Sequence, residues 1–577
     1  MGAEKITNEQ IAEIFKELGA ILELKGENPF KARAYYNAAR IIEKLPAPME
    51  EMINSGEIAR IKGIGEAVIK KSKVLIETGQ LPYYEKLKSS IPPGLLEMLK
   101  IPGLGPRKVR KLWQELGITN IGELEYACDV NRLVSLEGFG LKTQQKVLEG
   151  IKFLKKYSDK HFISDGIAES ELIASVLQEF PKALQMHVVG SVRRRCEIIG
   201  EIEVLVAIEC ELRSELLNFI KEAFSGADVK EKDENIVFRS PGGIPVVIHL
   251  VDKSSFIPAL FYFTGSDSHV RMIEKLLIDK GYRFVKNAIL GKTGRVNLNS
   301  EADIYALVGL PFIPPELREG RDELELAGSG EISELVKMSD IKGCFHIHSN
   351  YSDGINSVEE MVIRARELGY SFISISDHSK SAFYANGLDE ARLEQQWKEI
   401  DEINEKYPDF RVFKSIESDI LVDGSLDYED RVLEKFDFVI ASVHSRFALS
   451  ASEQTERVLR AIRNPFVKML AHPTGRLLLA RKGYEIDLER VLREIAKLDK
   501  VVEINASPHR LDLDWRWGKL VRELNVKIAI NPDAHNVDDV SDVEYGVYVA
   551  RKAGIPGRNI LNTWSVEKLE AFFRKKE

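Results

Sequence analysis

Apolar positions recur at helical spacing through residues 6–44, and the run NPFKARAYYNAARIIEKL within it predicts a small helical domain. From about residue 156 to 320 the period changes, and MHVVG, EIEVLVAIE, PVVIHLV and FYFTGS read as strands set among helices. An acidic, helix-prone stretch, PELREGRDELELAGSGEISELV, then leads to the last region. From residue 341 onward, apolar runs end in a polar cluster and pass into an amphipathic helix: FISISDH, FDFVIASVHS, VKMLAHP, VVEINAS and VKIAINPDAH. Strands alternating with helices in this way predict a βα barrel, whose functional residues sit at strand C-termini.

Three similar segments punctuate the helical part: IKGIGEAVIKK at 61–71, IPGLGPRKVRKLW at 101–113 and LEGFGLKTQQKVLEGI at 136–151. Each is an apolar residue, a Gly-x-Gly turn and a helix carrying basic residues, the helix-hairpin-helix pattern. Gly63 and Gly65, Gly103 and Gly105, and Gly138 and Gly140 let the backbone turn sharply and bring N–H groups at a helix N-terminus against a phosphate oxygen. With Lys108 and the other basic followers, this predicts DNA backbone binding without sequence preference; tight turns and helix caps are the bland reading of any one such Gly-x-Gly.

Composition narrows the picture. A chain of 577 residues predicts several domains, and a formal net charge of -9 argues against coating DNA by bulk charge. Four cysteines, Cys128, Cys196, Cys210 and Cys344, form no CxxC, and the chain has neither a signal-like start nor a long apolar run. We therefore expect a monomeric protein of the reducing cytoplasm, associated with the nucleoid and not with a membrane.

Of eleven histidines, six fall in the strand-end clusters. They are His346 and His348 in HIHSNYSDG, with Asp353; His378 in SDH; His444 in SVHS; His472 in AHP; and His535 in PDAH, with Asp533; Glu417 in SIESDI joins them. Such imidazole and carboxylate sets suit Zn, Mn or Fe, and a bridging carboxylate holds two ions about 3.5–4 Å apart. A lone strand-end histidine is usually a satisfied core residue; nine candidate ligands at successive strand ends are not explained that way.

This constellation resembles the PHP (polymerase and histidinol phosphatase) domain over residues 341–577. The resemblance implies a distorted (βα)7 barrel with up to three ions: one on His346, His348, Glu417 and Asp533, a second on Glu417, His444 and His472, a third on Asp353, His378 and His535. It also implies attack of activated water on a phosphate ester, with His346, His348, Glu417 and Asp533 as the catalytic set. Cys344 stands where the family often has Asp.

Residues 1–320 resemble family X DNA polymerases, the beta-like group, through NPFKARAYYNAAR, the Gly-x-Gly segments, GSVRRRCEIIG, FYFTGS and PPELRE. The resemblance implies a helical lyase-like domain (1–85), a fingers-like helix-hairpin-helix domain (86–155), an α+β nucleotidyltransferase palm (156–260), a thumb (261–325) and a linker (326–340) before the PHP barrel (341–577), a multidomain α/β chain. It places Gly190, Ser191 and Arg194 on the triphosphate of a dNTP, and Tyr262, Phe263 and Gly265 along its sugar and base. It also puts Lys71 where beta-like enzymes carry a Schiff-base lysine, although neighbouring Lys70 blurs that assignment and both also suit phosphate contacts.

The family's Asp-x-Asp and third Asp correspond here to Glu201, Glu203 and His249. Side chains two apart on a strand share a face, so Glu201 and Glu203 are expected side by side. Each Glu moves its carboxylate by roughly an ångström, a misplacement that costs about 10²-fold in rate. Imidazole is a poor Mg²⁺ ligand. The asparagine expected after GSxxH is also replaced, by Val270.

The expectation is a DNA-repair protein of the base-excision type that grips a gapped, nicked or abasic duplex. Its PHP site hydrolyses phosphodiesters, by 3′→5′ trimming or at abasic sites, and nucleotidyl transfer is lost or weak. The alternatives are a gap-filling polymerase adapted to Mn²⁺, a binding scaffold and a small-molecule phosphatase.

Overall fold

The computed structural model describes residues 6–155, 159–285 and 287–575. The chain divides into two compact units, Met1–Asp129 with Leu136–Leu154, and Val130–Ser135 with Lys155–Glu577. The boundary expected after residue 155 adjoins residues 156–158, which lie outside the described residues.

The first unit is helical. Its opening helix, Asn8–Leu24, starts at a capping box in which the Thr7 hydroxyl accepts from the Gln10 amide and the Gln10 side chain accepts from the Thr7 N–H. Phe15, Leu18 and Ile21 are fully buried along one face. The partner helix, Pro29–Ile42, takes proline in its first turn and is capped by Asn28. The two helices approach closely because Gly19 leaves room for the ring of Tyr36.

In the second unit, a five-stranded sheet runs Gln185–Val189, Ile202–Ala207, Pro245–Val251, Asn235–Arg239 and Lys230–Lys232 in spatial order. Only the Ile202–Ala207 and Pro245–Val251 pair is parallel, which sets Leu205 opposite His249. The apolar run before Gly265 forms a helix, Phe256–Thr264, rather than the expected strand. Its Phe256, Ala259 and Leu260 pack on Val189, Leu205 and Val251, whereas Phe261 packs into a separate core with Ile273, Ile304 and Tyr305. A helix covered on both sides loses its polar stripe, so its sequence cannot be told from a buried strand.

The stretch expected as a linker is also built in. Glu323–Ser329 is a helix, and Leu326, Ala327, Leu335 and Val336 are buried. Arg318, fully buried, donates to the Glu301 carboxylate, which also accepts from Arg193. Lys552, almost fully buried, reaches the Glu319 carboxylate and the Arg194 carbonyl.

Beyond it, eight short strand segments are paired in parallel: Gly343–Ile347, Phe372–Ile375, Arg411–Lys414, Glu417–Asp419, Val439–Ser442, Val467–Leu470, Val501–Asn505 and Lys527–Asn531. Arg411–Lys414 and Glu417–Asp419 are two parts of one strand interrupted at Ser415 and Ile416, giving the expected seven. Bridges between His378 and Glu417 and between Ile347 and Ala534 join the two sheets into a barrel. Its strands are almost wholly buried, as parallel sheets require. Among the described residues, no helix is long and apolar enough to cross a membrane.

Candidate functional site

The nine predicted ligands of the barrel converge. His348, Asp353, His378 and His535 present atoms within 4.8 Å of one another, and so do His346, Glu417 and His472, then His346, His348 and Asp533, then His378, Glu417 and His444. The Glu417 carboxylate spans the centre. Its Oε1 lies 3.3 Å from His346, 3.2 Å from His444 and 3.0 Å from His472, and its Oε2 lies 2.8 Å from His378 and 3.8 Å from His348. The three expected sets, two of which share Glu417, overlap further: the four residues assigned to one ion fall into two groups, and His348 also joins the third set.

Backbone geometry aims these side chains. His346, His472 and Asp533 hold φ values of 56°, 24° and 54°, a left-handed conformation that non-glycine residues tolerate mainly where surrounding structure enforces it. Several ligand atoms, among them His346 Nε2, His348 Nδ1, Asp353 Oδ2, Glu417 Oε2 and His535 Nε2, are buried without a hydrogen-bond partner. Buried polar atoms rarely stay unsatisfied, and divalent ions fit this donor set.

The charges suit cations as well. Burial alone would raise the Glu417 carboxyl, but His444, His346 and His378 hold it well below the ordinary range. Asp353 and Asp533 are likewise held down against burial by their histidines. His348 is pushed down to about 3 by burial and by His535 and His378, so its imidazole is neutral.

Several supporting residues were not singled out from sequence. Glu503 accepts from His346 Nδ1 at 2.7 Å and from the His472 amide at 2.7 Å. Asp419 accepts from His444 Nδ1 at 2.6 Å, and Asn505 donates to Asp533 at 3.0 Å. Asp377 is fully buried and binds Ser349 and Gln396. Partners of this kind fix the tautomer and direction of a ligand ring. Asp377 and Asp419 each lie within two positions of a predicted ligand, which was the available signal. Cys344, where the family often has Asp, is a fully buried strand residue.

The palm site is arranged differently. Glu203 lies inside the strand Ile202–Ala207, whereas Glu201 precedes it in an exposed position, so the two do not share a buried strand face. Partial burial and the nearby Glu203 raise the Glu201 carboxyl. Glu203 Oε1 accepts from His249 Nε2 at 3.1 Å, and His249 Nδ1 sits 3.2 Å from Asn235 Oδ1. The His249 ring stacks on Phe263 at 3.9 Å between centroids. Gly190, at φ 63°, has the Glu203 carboxylate directly over it, where a β-carbon would collide. Ser191 accepts from the Cys196 amide through its carbonyl. Arg194 donates to Glu319 at 3.1 Å and to the Thr264 carbonyl at 2.8 Å. Tyr262 is half exposed, and a β-carbon at Gly265 would press on Val270 and His269.

In the helical unit the three turns repeat one geometry. Gly63, Gly103 and Gly138 have φ of 102°, 86° and 89°. Gly65, Gly105 and Gly140 follow at or beside helix starts, with open space where a side chain would be. Lys108 lies in the first turn after Gly105, its ammonium 5.6 Å from the Phe139 ring. Lys71 is half-buried, 5.1 Å from the Tyr83 ring and 5.9 Å from that of Tyr35, whereas Lys70 is exposed.

Residues 6–81 match the helix-hairpin-helix domain, 95–152 the SAM-like helix-hairpin-helix tandem, 259–319 the DNA polymerase beta thumb and 345–507 the PHP domain. The DNA polymerase/3'-5' exonuclease PolX of Bacillus subtilis (strain 168) is 35% identical over 573 residues, covering 98% of this chain and 99% of its own length. The chain belongs to the family X DNA polymerases that carry a PHP domain. Probable phosphatases also match: one from Thermoanaerobacter sp. (strain X514) is 29% identical over 247 residues, 40% of this chain and 94% of its own length. Another, from Caldicellulosiruptor bescii, is 28% identical over 246 residues, 40% of this chain and 93% of its own length.

Membership in family X implies DNA binding, and PHP domains depend on metal, for which the barrel has His/Asp/Glu clusters. As a family X chain it is unequal in its two sites. The barrel gathers all nine expected positions; the palm presents two glutamates of different exposure and an imidazole bound to one of them.

Proposed function

We propose that the PHP barrel is a DNA phosphodiesterase, acting as a 3′→5′ exonuclease and at abasic sites, and that the palm transfers nucleotides weakly or not at all. The observation that carries this reading is the convergence of six histidines and three carboxylates in overlapping clusters, five of the histidines around Glu417, with several ligand atoms buried without a hydrogen-bond partner. A relative matching nearly end to end is named as a polymerase and 3'-5' exonuclease, which supports DNA as the substrate. Zn, Mn or Fe ions held by those nine residues would supply charge neutralisation and activation of water. Glu503 and Asp419 orient the imidazoles of His346 and His444, and the barrel wall keeps bulk water from the ligand atoms.

The weak-polymerase reading rests on Glu203 being bound by His249 and on Arg194, the expected triphosphate contact, being paired with Glu319. The other reading is a Mn²⁺-dependent gap-filling polymerase; in its favour, the same relative is named as a DNA polymerase. The domain limits at residues 85, 155, 260, 325 and 340 belong to this proposal, as does a lyase role for Lys71, favoured over Lys70 by its seat between Tyr35 and Tyr83.

The deciding experiment incubates one end-labelled gapped duplex with the protein and Mn²⁺, with and without dNTPs, beside His346→Ala. Shortening by the wild type alone supports the nuclease reading. Unchanged shortening by His346→Ala sinks it, and efficient primer extension by either protein sinks the weak-polymerase reading.

A further inference from the structure

Beside the candidate metal ligands, the segment from Ser379 to Leu388 loops out between His378 and the next helix, Glu390–Lys406. Both ends are fixed. The Leu388 amide donates to the His378 carbonyl at 2.9 Å, and the Ser381 amide and hydroxyl donate to Asp427 and Asp419 at 2.6 and 3.1 Å. Within the loop, the short turn Phe383–Ala385 carries Tyr384. The Tyr384 ring centroid lies 6.2 Å from that of His378 and 6.4 Å from that of His444. Its hydroxyl is buried and has no hydrogen-bond partner.

A buried phenol O–H without a partner is costly, on the order of 1–3 kcal/mol, and such groups in native proteins call for an explanation. The Arg132 guanidinium lies 4.5 Å from the ring centroid, and none of Asp353, Glu417 and Asp419 accepts from the hydroxyl. The hydroxyl is thus a held donor at the edge of a cluster whose carboxylates and imidazoles are suited to cations, where the missing acceptor is an oxygen brought by a ligand.

We propose that Tyr384 is a further catalytic residue of the PHP site, donating a hydrogen bond to a phosphoryl oxygen of the bound phosphodiester. The assignment rests on the phosphodiesterase reading above. The phenol transfers no proton in this role. It stabilises negative charge on an oxygen that gains charge as water attacks, and a fixed donor in a water-poor site is effective there.

The test uses full-length protein loaded with Mn²⁺ and the variant Tyr384→Phe, which keeps the ring and removes only the hydroxyl. Three quantities are measured: kcat on end-labelled single-stranded DNA and on bis(4-nitrophenyl) phosphate, bound metal per chain, and the affinity for inorganic phosphate by calorimetry. The expected result is a loss of about tenfold to a hundredfold in kcat on both substrates and about tenfold weaker phosphate binding, with metal content unchanged. Wild-type kcat and phosphate affinity in the variant would overturn the assignment, as would a loss of activity that tracks a loss of metal. A wild type that turns over neither substrate overturns the phosphodiesterase reading itself and this assignment with it.

Discussion

Glu203 and His249 sit on adjacent parallel strands and are joined by a 3.1 Å hydrogen bond, while the back of the imidazole lies against Phe263. The ring therefore occupies the slot between the carboxylate and the aromatic residue expected to line a nucleotide. Replacing all three positions with the shorter acid, as Glu201→Asp, Glu203→Asp and His249→Asp, should restore oxygen ligands at the spacing Mg²⁺ requires. In a His346→Ala background, primer extension with Mg²⁺ should rise by about 10²-fold over the parent, in line with the cost of ångström-scale misplacement. No gain would mean that the palm is impaired elsewhere.

Glu503 touches two of the barrel's ligand residues, through His346 Nδ1 and the His472 amide, and is itself fully buried. Its negative charge fixes the His346 tautomer and holds the imidazole well above its ordinary pKa against the opposing effect of burial, with Asp533 and Glu417 contributing. Glu503→Gln keeps the volume and removes the charge. Metal affinity, measured by competition with a chelator, should fall about 10- to 100-fold while circular dichroism stays unchanged. Undiminished affinity would assign Glu503 to packing alone.

The contrast between Glu503 and its neighbours shows what the sequence could reveal. Each of the nine candidate ligands either ends an apolar run or stands in the polar cluster after it, and that local signal is readable without a structure. Glu503 lies mid-strand and meets His346 157 positions away only because the barrel closes. The Gly-x-Gly turns were legible for the same local reason, since φ near +90° is a property of three residues. The Arg193–Glu301–Arg318 network was not, because it joins partners 108 and 17 positions apart across helices whose apolar periods say nothing about one another. The segment FYFTGS reads as a strand but supplies the end of the helix Phe256–Thr264, which is buried on two sides.

Metal loading should be coupled to protons. Burial works against protonation of His378, yet Asp353 and Glu417 raise it to about 10; His346, His444 and His535 are also raised by facing carboxylates. At neutral pH His378 and His346 carry protons that an incoming ion must displace, so binding releases protons and affinity grows as pH rises. His348, already neutral, adds no slope, and the carboxylates stay ionised throughout. Mn²⁺ titrations between pH 6 and 8 should show roughly tenfold tighter binding per pH unit for each proton displaced, with matching acidification in weak buffer. A flat profile would contradict the protonated resting state.

The DNA grip can be tested apart from either catalytic site. Gly105 faces free space beside the start of the helix Pro106–Leu116, and Lys108 stands in its first turn with its ammonium near Phe139. A cation that neutralises one phosphate releases about one condensed counterion, which fixes the size of the expected effect. Lys108→Ala should lower the slope of log Kobs against log salt concentration by about 0.9, equally for unrelated DNA sequences. Gly103→Ala acts by another route, because φ of 86° is strained for any side chain, and should weaken binding with the slope largely kept. Fluorescence anisotropy across a salt series separates the two. An unchanged slope in Lys108→Ala would remove that lysine from the interface, and sequence-dependent losses would contradict backbone recognition by these turns.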